Sequence, residues 1–126
     1  MLDERGAKRL SQLCSMAIDW HLDTVLISLH GEFDLSCERP FHEELGCALD
    51  GQATALVVDL RALKFVDSQG LRMLIALHGT ARDEDLGFTV LCGSGVVRNT
   101  LRETGLDGVL PVVDPYGSVH ASDSPV

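Results

Sequence analysis

The stretch ALVVDLRALKFVDSQGL, residues 55–71, decides how this chain is read. Ala55–Leu60 is an apolar run that reaches Asp59 before it breaks, the pattern of a strand covered on at least one face and paired in parallel. A connection carrying Phe65 and Val66 follows, and Asp67-Ser68-Gln69-Gly70 opens a helix. A small hydroxyl therefore stands at the positive end of a helix, beside a carboxylate, where the chain leaves the sheet.

Upstream, Ser15–Ile18 and Thr24–Leu29 read as two strands joined by a hairpin connection over Asp19–Asp23. Val25, Ile27 and Leu29 alternate with Leu26, Ser28 and His30, so one face of the second strand is buried and the other mixed. Gly31-Glu32-Phe33-Asp34-Leu35 ends this region, and Ser36 is placed to cap a helix over Glu38–Leu49. Pro40 fits only the first turn of that helix, where a missing N–H does no harm. Downstream, Ser68–Arg82 reads as a helix with Leu71, Leu74, Ile75 and His78 on one stripe and Met73 and Leu77 alongside. Gly87–Cys92 is a further strand, Val96–Thr104 a short helix ended by Gly105, and Val109–Val113 a last strand. Strands alternating with helices imply crossover connections and a mainly parallel sheet, with the first hairpin as an antiparallel edge.

A length of 126 residues suits one domain, and a hydrophobic content of 45% supplies a core. Nineteen acidic against ten basic residues give a net charge of -9, which argues against a nucleic-acid backbone or an anionic membrane as partner. No segment reaches the ~20 apolar residues of a membrane span, and the charged start MLDERGAKRLSQL lacks the apolar stretch of a secretory signal. The four cysteines (Cys14, Cys37, Cys47, Cys92) form no C-x-x-C pair and the five histidines are scattered. Reduced core thiols in a cytoplasmic protein, with no metal and no cofactor, are the reading.

Three readings of the Asp67-Ser68 corner compete. Either residue can cap the helix by accepting a hydrogen bond from an N–H two or three positions on. Nucleophilic catalysis by Ser68 needs a base and an oxyanion site, but V-D-S-Q-G lacks the first glycine of a nucleophile elbow and His78 lies three turns down the helix. A phosphate on Ser68 would bring about -1.5 to -2 charges to a helix end that tolerates them. The domain would stay folded, and the new charge would act on whatever docks at the corner.

Leu56-Val57-Val58-Asp59-Leu60, Leu63, Phe65-Val66-Asp67-Ser68, Gly70-Leu71 and Leu74 together resemble the signature of the STAS domain found in bacterial anti-sigma factor antagonists. Gly31-Glu32-Phe33-Asp34-Leu35 and the pattern Val96-Val97-Arg98, Leu101, Gly105-Leu106 extend the likeness over roughly residues 15–113. The resemblance implies a protein–protein switch, not an enzyme. The unphosphorylated domain would bind an anti-sigma factor that is a serine kinase of the GHKL type, freeing a sigma factor. Phosphorylation would release it, and a PPM-type phosphatase would restore binding. Carried over by position, Ser68 is the phosphoacceptor, and Asp34, Asp67, Gln69, Gly70 and Leu71 belong to the partner-binding corner. Gln69 departs from the small or hydroxyl residue often found there, which excludes a second modification.

Two rivals remain. A STAS module could serve only as a constitutive scaffold. A phospho-aspartate receiver would use Asp59, but the first strand region ends at Asp19-Trp20 without an acidic pair and Val109–Val113 holds no lysine. The expectation is thus one α/β domain over residues 13–113, with a four- to five-stranded sheet and three helices, between a flexible segment 1–12 and a disordered tail 114–126.

Overall fold

The computed structural model describes residues 8–49 and 51–115. The segment 1–12 expected to be flexible lies largely, and the tail expected to be disordered almost wholly, outside the described residues. Strands β1 (Lys8–Ser11), β2 (Cys14–His21) and β3 (Thr24–Phe33) lead through a 3-10 turn (Leu35–Cys37) into helix α1 (Glu38–Ala48). Then come β4 (Ala55–Val66), α2 (Ser68–Asp83), β5 (Gly87–Leu91), α3 (Val96–Glu103), a second 3-10 turn (Leu106–Gly108) and β6 (Val112–Val113).

All six strands join one sheet in sequence order. The β1–β2 and β2–β3 pairs are antiparallel; β3–β4, β4–β5 and β5–β6 are parallel. The α/β class, the antiparallel edge and the three helices are as the sequence implies; the sheet has one strand more than the upper expectation. The extra strand is β1, whose short sequence KRLS carries no apolar alternation and is held by pairing to β2.

Three crossovers stepping the same way across a sheet put their helices on one face, given the right-handed rule. Burial agrees. Val25, Ile27 and Leu29 on β3, Leu56, Val58 and Leu60 on β4, and Val90 on β5 are buried. Their neighbours Leu26, Ser28, Val57 and Asp59 remain partly exposed on the open face. Helix α2 closes the core with Leu71, Met73, Leu74, Leu77 and Ala81, and Phe33 meets Phe41 of α1 edge-to-face at 5.0 Å. Ile75, placed by periodicity on the inward stripe, is instead 41% exposed.

Strand β4 runs to Val66, so residues 61–66 are strand and not connection. Its register against β3 shifts between Ser28 and His30 and again between Gly31 and Glu32. Each shift spends an extra β4 residue, so Leu60, Leu63 and Val66 all turn inward at a spacing of three. Period-2 reading fails there for that reason.

Gly31 takes φ +94°, and a Cβ on it would lie 1.9 Å from the Leu13 carbonyl oxygen, which accepts the Glu32 N–H at 2.8 Å. Leu22, in the two-residue turn between β2 and β3, has φ 57° and is 89% exposed. A left-handed L-residue costs about 1–2 kcal/mol. Leu22→Gly should therefore raise the denaturation midpoint, and Gly31→Ala should lower it sharply, by at least about 2 kcal/mol in urea unfolding. Equal midpoints for the two variants would contradict this geometry.

Candidate functional site

The site is built where β3 and β4 end side by side. Phe33 pairs with Val66, and the Asp67 N–H donates to the Phe33 carbonyl at 3.3 Å. One residue past that pair, both chains turn on an aspartate in extended conformation, Asp34 at φ -143° and Asp67 at φ -99°. Asp34 Oδ1 accepts the Ser36 N–H at 3.0 Å and the Ser36 hydroxyl at 2.5 Å, which caps the 3-10 turn before α1. Asp34 is thus the cap, where the sequence pointed to Ser36. The side chain of Asp34 commits before that of Ser36 because it precedes the turn and its oxygen reaches the N–H two residues on.

Asp67 Oδ1 accepts the Gly70 N–H at 2.9 Å, and its carbonyl accepts the Leu71 N–H at 2.9 Å. The cap reading therefore belongs to Asp67. Ser68 is the first residue of α2 and is exposed, and its hydroxyl makes no hydrogen bond among the described residues. The N–H groups of Ser68 and Gln69 retain the orphan status of a helix start.

Gly70 is wedged against the end of β3. A Cβ there would stand 2.4 Å from the Phe33 carbonyl oxygen and 2.6 Å from Val66 Cγ2. Gly70 and Leu71 are buried and Gln69 is half-buried. Of the residues assigned to the partner-binding corner, Gly70 and Leu71 position the helix and offer no contact surface, because their faces are spent on the core. What flanks Ser68 in the open includes side chains the sequence reading did not assign to the corner. Leu35, next to Asp34, is 57% exposed, and Ile75 lies two turns along α2 from Ser68 with Arg72 between. An apolar residue directly after a capping aspartate was the available signal for Leu35.

Asp59 sits within β4, not at its end, and Arg61 engages it. The guanidinium makes two hydrogen bonds, Nε to Oδ1 at 2.9 Å and Nη2 to Oδ2 at 2.7 Å, and the Arg61 N–H adds a third at 3.0 Å. Partial burial pushes the Asp59 carboxyl up, but these bonds and the charge of Arg61, with a smaller contribution from His30, outweigh it and hold the group below the ordinary carboxylate range. Asp59 therefore has a local hydrogen-bond role, and Arg61 is turned to it. Lys64 and Arg72 are exposed. No group of His, Cys, Asp or Glu that could hold a metal ion is found among the described residues. None of the described helices is long and apolar enough to cross a membrane.

This arrangement is a mixed sheet with helices on one face and an exposed hydroxyl opening the helix after the longest strand. Residues 16–113 match the family model described as Mlab, STAS domain, and the chain belongs to the STAS domain family. It is 32% identical over 87 residues to the anti-sigma-F factor antagonist RsfB of Mycobacterium tuberculosis, covering 69% of this chain and 70% of RsfB. The crystal structure of an anti-sigma factor antagonist from Mycobacterium paratuberculosis superposes with a TM-score of 0.71 at 27% identity, covering 84% of this chain and 89% of that one. The anti-sigma factor antagonist SpoIIAA in its unphosphorylated form shares the fold with a TM-score of 0.68 at 21% identity, over 82% and 90% of the two chains.

The division of labour at the corner is measurable. Asp67→Ala should lose about 1 kcal/mol of stability in urea unfolding as the cap is removed. Ser68→Ala should stay within about 0.5 kcal/mol of the parent. The reverse order would make Ser68 the cap.

Proposed function

We propose that this protein is an anti-sigma factor antagonist whose docking corner is switched by phosphorylation of Ser68. The observation that carries the reading is the separation of roles at the start of α2: Asp67 does the capping, so the Ser68 hydroxyl is free and exposed. The two mycobacterial relatives described as anti-sigma factor antagonists support it. The partner is an anti-sigma factor of the GHKL serine kinase type. It is bound in the cytoplasm by the unphosphorylated corner, through Asp34, Asp67 and Gln69 with the exposed apolar flanks Leu35 and Ile75. Binding frees a sigma factor.

Modification changes the corner by charge, not by unfolding. A phosphate brings about -1.5 to -2 charges next to Asp34 and Asp67. On the protein side the orphan N–H groups of Ser68 and Gln69 and the positive helix end offset that charge. On the partner side nothing does: a complementary surface that packed against a neutral hydroxyl must now desolvate a dianion. The complex therefore dissociates while the domain stays folded. A PPM-type phosphatase resets the corner, so this protein is a substrate in the cycle and catalyses no step of it.

Titration calorimetry with the anti-sigma factor kinase encoded by the same genome tests this. The parent and Ser68→Ala should bind alike, and Ser68→Asp at least tenfold more weakly, a difference of about 1.4 kcal/mol. The kinase with ATP should label the parent and not Ser68→Ala. Equal affinity of the alanine and aspartate variants would make the domain a constitutive scaffold.

A further inference from the structure

Beneath the Asp34 turn lies a feature that the switch does not use. Cys14 on β2 and Cys37 at the start of α1 are both buried, at 2% and 0% exposure. The Cys37 thiol lies 3.8 Å from Ser11 Oγ, 3.7 Å from the Glu32 carbonyl oxygen and 3.8 Å from Asp34 Oδ1. Ser11 is the β1 partner of Cys14, and Glu32 follows Gly31, its β3 partner. The sulfur of Cys37 thus rests on residues that flank Cys14 from both neighbouring strands. Cys92, the third buried thiol among the described residues, sits just past β5, at the other side of the sheet.

We infer that Cys14 and Cys37 form a dithiol modification site, which hydrogen peroxide closes to an intramolecular disulfide that alters the Asp34 turn. The reaction balances simply. The peroxide gives one oxygen to a thiol sulfur, leaving a sulfenic acid and water. The second sulfur then bonds to the first, and the departing hydroxide takes up the remaining thiol proton as a second water. The two thiols lose two electrons and two hydrogens, and the peroxide is reduced to two waters.

Access and rate follow from the surroundings. Cys14 lines a surface cavity of about 490 Å³ together with Arg9, His30 and Lys64. A second cavity, of about 290 Å³, is lined by Ser11 and Asp34, two of the groups that touch the Cys37 sulfur. Burial, the neighbouring Cys37 thiol and the Asp34 carboxylate all push the Cys14 thiol up, away from the reactive thiolate. Closure is therefore slow and answers sustained oxidation, not a brief pulse. Once closed, Cys37 has no S–H to offer Asp34, and the turn before α1 is tied covalently to β2. The effect on docking rests on the reading of the corner given above; formation of the bond does not.

The test uses the full-length chain. It is exposed to hydrogen peroxide under native conditions, digested without reduction and mapped by mass spectrometry, and the amide signals of Asp34 and Ser36 are followed by NMR. A Cys14–Cys37 crosslink, retained in Cys92→Ala, absent in Cys37→Ala, and accompanied by shifted Asp34 and Ser36 signals, is the expected result. Overoxidation without a crosslink, a crosslink to Cys47 or Cys92, or a crosslink that leaves those signals in place overturns the inference. Calorimetry of the oxidised chain with the kinase then reads docking separately. Unchanged affinity beside a formed crosslink would count against the corner and not against the site.

Discussion

The parallel pairing of Phe33 with Val66 fixes where the functional helix begins. Because the Asp67 N–H is bonded to the Phe33 carbonyl, α2 starts one residue past the end of the sheet and cannot slide. The same carbonyl oxygen lies 2.4 Å from where a Gly70 Cβ would be, so the first turn of α2 packs backbone against backbone. Only glycine permits that approach. The closeness brings the Asp34 turn, which leaves β3 at the same level, beside Ser68. The aspartates, the serine and the glycine are therefore one device. Register sets the height, Gly70 sets the distance, Asp67 closes the helix end, and the hydroxyl is left over.

Much of this was legible in the sequence, and the reasons for the rest are physical. The apolar run at 55–60 and the D-S-Q-G opening gave strand, corner and helix, because both are local signals. The strand's continuation to Val66 was not legible. Two bulges against β3 change the inward spacing from two residues to three, and a bulge is decided by the partner strand. β1 was missed for a related reason: four residues with one buried apolar side chain, Leu10, carry no pattern of their own. Ile75 and Met73 show the limit of helical periodicity. Both lie within reach of the apolar stripe, yet Met73 is buried and Ile75 is exposed, a choice made by tertiary packing and not by periodicity.

At the corner, sequence reasoning could not divide the roles of Asp67 and Ser68, since either can cap. The division depends on which residue adopts the extended conformation, and that is imposed by the hydrogen bond to Phe33 on a strand more than thirty positions away. Tertiary pairing thus decides a local competition. It also explains why Asp34 and not Ser36 caps the turn before α1. Asp34 is the residue held at the end of β3, and Ser36 is already inside the turn.

Placing a modifiable hydroxyl at the first position of a capped helix has a consequence for stability as well as for binding. A serine that served as the cap would lose its hydrogen bond to the N–H groups when esterified, and the helix start would have to reorganise. Here the cap is a separate carboxylate, so the bond from Gly70 to Asp67 survives whatever happens to Ser68. Added charge at the first position meets the favourable end of the helix dipole and the unfavourable Asp67, two contributions of comparable size and opposite sign. The fold is thereby insulated from the chemistry at its surface. Under the proposed phosphorylation, what would change is the potential facing a partner across Ser68 and the exposed apolar side chains Leu35 and Ile75. A rigid scaffold with a chemically variable corner makes such a switch depend on the interface alone.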